Sequence, residues 1–265
     1  MQKSTPSNAP AEVLPPHKPL PAYYGDEAEH EQFLRRIFDD TAPDYDRIER
    51  VLALGSGPWY RRAALQRAGL AAGAQVLDVG IGTGLVAREA LALIGPSGRL
   101  VGVDPSPGMM KEVGLSGVEL VRGRAEALPR PDDSSDFVSM GYALRHVADV
   151  NAAFAEFFRV LRPGGRLLVL EISKPAGRLG TALLKGYMRT VVPVVARVVA
   201  RQQKTAELWR FYWDTIEACM PPEAVLGALR AAGFEDVQRH VELGMFSEYT
   251  AVKGVAPSPS GRGLG

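Results

Sequence analysis

A single cysteine, Cys219, stands in 265 residues. One thiol excludes an intrachain disulfide framework and a multi-cysteine zinc site, so a reducing compartment and no metal are expected. Cys219 itself reads as a small buried apolar side chain. Excess charge is lacking too, with 31 Lys and Arg against 30 Asp and Glu, a formal net +1. Dedicated nucleic-acid binders carry a clear basic excess, so no nucleic-acid partner is expected. No stretch reaches the ~18 consecutive apolar residues of a spanning helix. The proline-rich start, MQKSTPSNAPAEVLPPHKPLP, has no apolar core of a secretory signal. No internal repeat is visible.

What remains is an ordinary globular composition, 46% hydrophobic and 23% charged. Residues 1–26 read as an unstructured leader and the Gly/Pro/Ser-rich 254–265 as an unstructured tail, leaving 27–253 as one folded domain. Within it, strands are expected at Ala74–Gly80, Arg99–Val103, Val118–Arg122, Asp136–Met140 and Arg166–Ile172. Helices are expected over Thr83–Ile94, Pro105–Val113 and Asp149–Val160, the last capped by Asp149 and ended at RPGG. A helix over Pro222–Ala232 and two closely spaced strands, Asp236–His240 and Phe246–Val252, complete the pattern. Strands alternating with helices imply an α/β fold: a Rossmann-like, seven-stranded, mostly parallel sheet with helices on both faces and an antiparallel last strand.

The most informative segment is Asp78–Val79–Gly80–Ile81–Gly82–Thr83–Gly84. In such sheets ligands sit beyond the carboxyl ends of the strands, and glycines there let the backbone approach without a Cβ in the way. Asp104 follows at the end of the next strand, where a carboxylate can accept both hydroxyl protons of a ribose. A nicotinamide dinucleotide fingerprint needs a third glycine, which counting from Gly80 would fall on Leu85. Asp78 suits an ammonium better than a pyrophosphate. A ligand with a ribose, an adenine and an amino-acid ammonium fits these features, namely S-adenosylmethionine.

VLDVGIGTGLVA, VGVDPSPGMM, RAEALP, GYALRHV and RVLRPGGRLLVLEISKP, in that order, resemble the ubiquinone/menaquinone-biosynthesis C-methyltransferase family. FDDTAPDYDRI upstream resembles its N-terminal FDxxAxxYD segment. The resemblance spans roughly Phe38 to Pro175 and continues more weakly to Lys253. It implies that Gly80, Gly82, Thr83 and Gly84 contact the methionine end, that Asp104, followed by Pro105, takes the ribose, and that Met109, Arg124 and Ala125 lie by the adenine. It further implies that Gly141 and Tyr142 stand beside the sulfonium. Tyr45 would belong to an N-terminal helical lid over 27–70, and 174–220 would form a substrate-covering insertion. Departures are His146 and Glu49, where the family usually has Asn, and a missing phenylalanine near Ser135 and at Arg130. The stretch from Gly180 to Cys219 also diverges, so the departures touch the acceptor rather than the cofactor.

Transfer to a ring carbon of a quinol needs a hydroxyl beside that carbon to lose its proton. Arg145 and His146 follow the fourth strand, the imidazole a candidate base and the guanidinium a candidate phenolate stabiliser. Tyr142, Tyr187, Tyr212 and Glu171 are candidate acceptor contacts, and the aromatic cluster around Trp209–Trp213 suits a small-molecule aromatic acceptor. Two other functions remain open from the residues: an O-, N- or C-methyltransferase acting on another small molecule, and a catalytically silent cofactor-binding partner. Self-association into a homo-oligomer is also left open. From Ile172 to Ala206 there is no acid but seven basic residues: Lys174, Arg178, Lys185, Arg189, Arg197, Arg201 and Lys204. The rest of the chain therefore sums to −6. Apolar residues interleaved with these cations make 178–204 either a solvated face or a peripheral membrane-surface element, with Pro193 expected to interrupt a single helix. The expected setting is the cytoplasm, with such a surface at the inner membrane face.

Overall fold

The computed structural model describes residues 13–255 apart from 54, 176 and 200–204. Arg201 and Lys204 of the basic stretch, and all but the first two residues of the expected C-terminal tail, lie outside the described residues. The seven strands are β1 (Gln75–Val79), β2 (Arg99–Asp104), β3 (Val118–Arg122), β4 (Ser135–Gly141), β5 (Leu161–Ile172), β6 (Phe234–Glu242) and β7 (Phe246–Lys253). They lie in the order β3-β2-β1-β4-β5-β7-β6, with β7 antiparallel to both neighbours. The sheet is thus the expected one. The order reverses between β1 and β4, which opens a crevice at their carboxyl ends.

Nine α-helices surround the sheet among the described residues: α1 (Glu27–Leu52), α2 (Gly57–Arg67), α3 (Leu85–Ile94), α4 (Pro107–Lys111), α5 (Val150–Val160), α6 (Arg178–Gly186), α7 (Val192–Val199), α8 (Thr205–Ala218) and α9 (Pro222–Ala231). Asp149 caps α5 by accepting from the Asn151 N–H, as its place before the apolar run predicts. Phe154, Phe157 and Val160 on one face of that helix are fully buried against the sheet. A second apolar cluster packs α2 and α3 on the other face. A third lies above the carboxyl ends of the strands, where α1 meets α6, α7 and α8 through Phe33, Ile37, Leu184, Met188 and Phe211.

Three expectations are corrected here. Residues 13–26 are ordered: the Leu14 carbonyl accepts from Val150 N–H at 2.9 Å, the Pro16 carbonyl from Met220 N–H at 2.7 Å, and Tyr24 is buried. Proline removes donors but leaves carbonyls free, so a chain without secondary structure can still be tied down by neighbours that donate to it. Pro193 does not stop the helix either. Residues 187–191 form a π turn in which Val192 N–H reaches the Tyr187 carbonyl, and α7 resumes at once. Cys219 is only half-buried, and its thiol is pushed up to about 12 by burial, so it stays protonated.

Candidate active site

β1 and β2 are adjacent and in register to Val79–Val103, so the loop after β1 and the acid ending β2 meet at one edge of the sheet. Gly80 turns the chain at φ +67, and a Cβ there would fall 2.8 Å from the Ala143 Cβ. Only glycine permits that approach. Asp104 is pinned by two backbone donors, Gly82 N–H on Oδ2 and Ser106 N–H on Oδ1, each at 2.8 Å. Each oxygen keeps a lone pair for a further donor. Burial raises its carboxyl to about 6. Asp78 accepts from the Ser139 hydroxyl at 2.7 Å, while its Oδ2 is buried without a hydrogen-bond partner among the described residues. Burial pushes Asp78 up to about 7.

These groups open on a cavity of about 510 Å³ between the sheet edge and α1, within the ~300–1,000 Å³ usual for small-molecule sites. Tyr45, Asp78, Gly80, Gly82, Thr83, Asp104, Pro105, Met109, Arg124, Ala125, Gly141, Tyr142, His146 and Tyr212 all line it. Tyr142 follows β4 with φ +58, a conformation uncommon for a large side chain, held by its N–H on the Leu170 carbonyl at 2.8 Å. Tyr45 and Tyr212 are joined hydroxyl to hydroxyl. Beside them the His146 ring lies edge-on to Phe38, with centroids 5.2 Å apart, and stacks on Phe211 at 5.6 Å. Both its nitrogens are buried without partners among the described residues. Burial, reinforced by the Arg145 charge, holds His146 well below its ordinary value, so the ring is neutral.

Four of the expected site residues fall elsewhere. Arg145 is fully buried beneath the cavity, paired with Glu171, and its guanidinium lies 4.3 Å from the Tyr212 ring centroid. Neither Arg145 nor Glu171 lines the cavity. Consecutive residues of the short 3-10 turn at Leu144–His146 face opposite ways, sending Arg145 into the core and His146 to the ligand side. Tyr187 faces outward, its hydroxyl 3.4 Å from the Leu52 carbonyl. Gly84 starts α3 in a left-handed conformation, φ +87, and does not reach the cavity. The substitution Glu49 is explained by its ion pair with buried Arg61 at 2.8 Å, which joins α1 to α2.

The sequence reading missed the acids that fasten α1 over the cavity. Asp39 accepts from the Ser106 hydroxyl and from Gly108 N–H at 2.8 Å, and Asp46 accepts from the Thr83 hydroxyl. Arg124 reaches Glu31 of α1 at 2.9 Å. Both aspartates stand within FDDTAPDYDRI, so the signal was present in a motif from which only Tyr45 was drawn.

A seven-stranded sheet with this order, a glycine turn after β1, an acid ending β2 and an orphaned buried carboxylate oxygen define a class I S-adenosylmethionine-dependent methyltransferase. The chain matches the ubiE/COQ5 methyltransferase family over residues 26–253, and it belongs to that family. A Hahella chejuensis protein described as a ubiquinone/menaquinone biosynthesis C-methyltransferase is 35% identical over 214 residues, 77% of this chain and 84% of its own. Among solved structures, a SAM-dependent methyltransferase from Thermotoga maritima superposes with a TM-score of 0.58 at 23% identity, covering 83% of this chain and 99% of that one. Haemonchus contortus phosphoethanolamine N-methyltransferase 2, solved with S-adenosylmethionine, gives a TM-score of 0.60 at 17% identity, covering 85% of this chain and 60% of its own. Both structural likenesses bear on the fold alone.

The residues present fit that cofactor: Asp78 Oδ2 lacks a donor that an ammonium would supply, and Asp104 keeps acceptor capacity for a ribose. An ammonium partner must be ionised, and Asp78 titrates near pH 7. Affinity for S-adenosylmethionine is therefore expected to rise about tenfold between pH 6 and pH 8, following the ionised fraction of Asp78. Calorimetric titration across that range checks it. A profile no steeper in the wild type than in Asp78→Asn removes Asp78 from ammonium binding.

Proposed function

We propose that this methyltransferase C-methylates a quinol-like aromatic ring of the ubiquinone/menaquinone type. The observation carrying the proposal is the aromatic part of the cavity lining, Tyr45, Tyr142, Tyr212 and Phe38, in which Phe38 and Tyr212 pack on one neutral imidazole. Flat apolar rings make a slot for a flat acceptor, and the unpartnered imidazole of His146 among them is a place for a phenolic hydroxyl. Relatives such as the Hahella chejuensis protein, described as a ubiquinone/menaquinone biosynthesis C-methyltransferase, support the same acceptor class.

Bound S-adenosylmethionine supplies a methyl group activated by its sulfonium. The chain's own part is to orient and to manage a proton. Asp78, Gly80, Gly82 and Thr83 hold the methionine end, Asp104 the ribose, and Met109, Arg124 and Ala125 the adenine side. Tyr142 and Tyr212 flank the acceptor ring, and His146 accepts the hydrogen bond of its hydroxyl as the ring becomes electron-rich. Arg145, buried below Tyr212, holds that ring in place through its cation–π contact. A cytoplasmic setting, with the acceptor drawn from the inner face of a membrane, completes the proposal.

Transfer of a labelled methyl group to a quinol precursor, with the product's C-methyl identified by NMR, tests the assignment. Label found on an oxygen or a nitrogen would overturn it in favour of another small-molecule acceptor. His146→Ala is expected to lower kcat about tenfold, less than the ~10²–10⁴-fold of a well-matched proton acceptor because its basicity is depressed. The dissociation constant for S-adenosylmethionine should stay within about twofold of wild type, RT ln 2 being small against a lost hydrogen bond. Equal kcat in mutant and wild type would remove His146 from catalysis.

A further inference from the structure

From Arg178 to Val199 the chain is helical without interruption, through α6, the π turn and α7. At ~1.5 Å per residue that is a rod roughly 33 Å long. Its inner side, Leu184, Met188 and Val192, is buried against α1 and α8. Its outer side carries an apolar stripe at steps of four, four, four, three and four residues: Leu179, Leu183, Tyr187, Val191, Val194 and Val198. Leu179 is 74% exposed, Leu183 66% and Val198 81%. Four-residue steps drift by about 40° each on an α-helix. The single three-residue step and the wider π turn take part of that drift back and keep the stripe on one side.

An aqueous protein seldom lines up exposed apolar side chains over such a length without a surface to meet. No helix among the described residues is long and apolar enough to cross a membrane, so a bilayer would meet the rod in its plane. Charge selects that surface. Between Ile172 and Ala206 there is no acid, and exposed Arg178 and Arg197 stand at the two ends of the rod. Lys185 and Arg189 sit between them, paired with Glu217 and Asp214 of α8. Two copies of the chain meeting stripe to stripe would bring Arg178 and Arg197 of each rod against a partner rod that offers them no acid.

We infer that the outer face of α6–α7 docks in the plane of an anionic lipid bilayer, with the stripe in the headgroup–acyl boundary and the arginines on lipid phosphates. The inner side of the same rod packs on α8, which carries Tyr212 into the cavity, so the roof of the site rests against the membrane. This inference deepens the membrane setting proposed above but does not depend on the acceptor.

The test is co-sedimentation of the full chain with vesicles of phosphatidylcholine alone or containing about one third phosphatidylglycerol, at low and high salt. Binding to the anionic vesicles at low salt, weakened at high salt and on neutral vesicles, is expected. The double variant Leu183→Asp, Val198→Asp should bind about tenfold more weakly, and Arg178→Glu, Arg197→Glu should lose the preference for anionic lipid. All four positions are exposed, so circular dichroism and cofactor affinity should match wild type. Failure of the wild type to sediment with anionic vesicles at low salt, or equal sedimentation of wild type and variants, overturns the inference. So does sedimentation velocity showing a dimer that Leu183→Asp dissociates, which would assign the stripe to a second copy. Methyl transfer to a short-chain, water-soluble quinol needs no bilayer, so failure of docking and failure of the proposed acceptor are told apart.

Discussion

Replacing Glu171 by alanine is expected to cost the fold about 3–5 kcal/mol, because it strands a guanidinium in the core. Arg145 has no exposed surface and Glu171 only 3%. Two further guanidinium nitrogens, Nε and one Nη, already lack partners among the described residues, so no neighbour there stands ready to replace the lost carboxylate. Against a total stability of roughly 5–15 kcal/mol for a domain, the loss is large. Urea unfolding should show it as a lower midpoint with little change in slope. The double variant Glu171→Leu, Arg145→Met, which removes both charges and keeps volume, should recover much of the loss. A single variant as stable as wild type would mean that water reaches the pair.

Asp104→Ala is expected to weaken S-adenosylmethionine binding by a hundredfold or more, the largest change in affinity among the substitutions considered. Hydrogen bonds to a charged acceptor contribute about 1.5–3 kcal/mol each, and two ribose hydroxyls are at stake. Every 1.4 kcal/mol is about tenfold. The same carboxylate fixes Gly82 and Ser106 by their N–H groups, so its loss also loosens the glycine loop. Calorimetry on Asp104→Ala and Asp104→Asn reads the effect. An alanine variant binding within threefold of wild type would show that the ribose is held elsewhere.

Legibility in the sequence followed how local each feature was. The glycine loop, Asp104 and the Asp149 cap were readable because neighbours in the chain determine their geometry. Arg145 and Glu171 were misplaced because two residues next to the expected ligand edge can point either way. What turns Arg145 inward is a carboxylate 26 positions along the chain. Order in residues 13–26 was not legible because it comes from distant donors, Val150 and Met220, and leaves no periodicity. In the basic stretch the apolar pairs were visible, yet only the fold decides that Val192 is buried while Val191 is exposed. His146 was found by position, but its neutrality comes from burial among Phe38, Phe211 and Tyr212, which no spacing reports.

The bonds from Asp39 to Ser106 and Gly108, and from Ser106 and Gly82 to Asp104, form one continuous chain from α1 to the turn after β1. A carboxylate placed to bind a ribose is therefore also a link in the fastening of the covering helix. Ligand occupancy and helix closure then share a single free-energy cycle, and such cycles are reciprocal. Whatever factor cofactor binding adds to the closed population, closure adds to cofactor affinity, so a substitution at Asp39, which does not itself line the cavity, is felt at the ligand through Ser106 and Asp104.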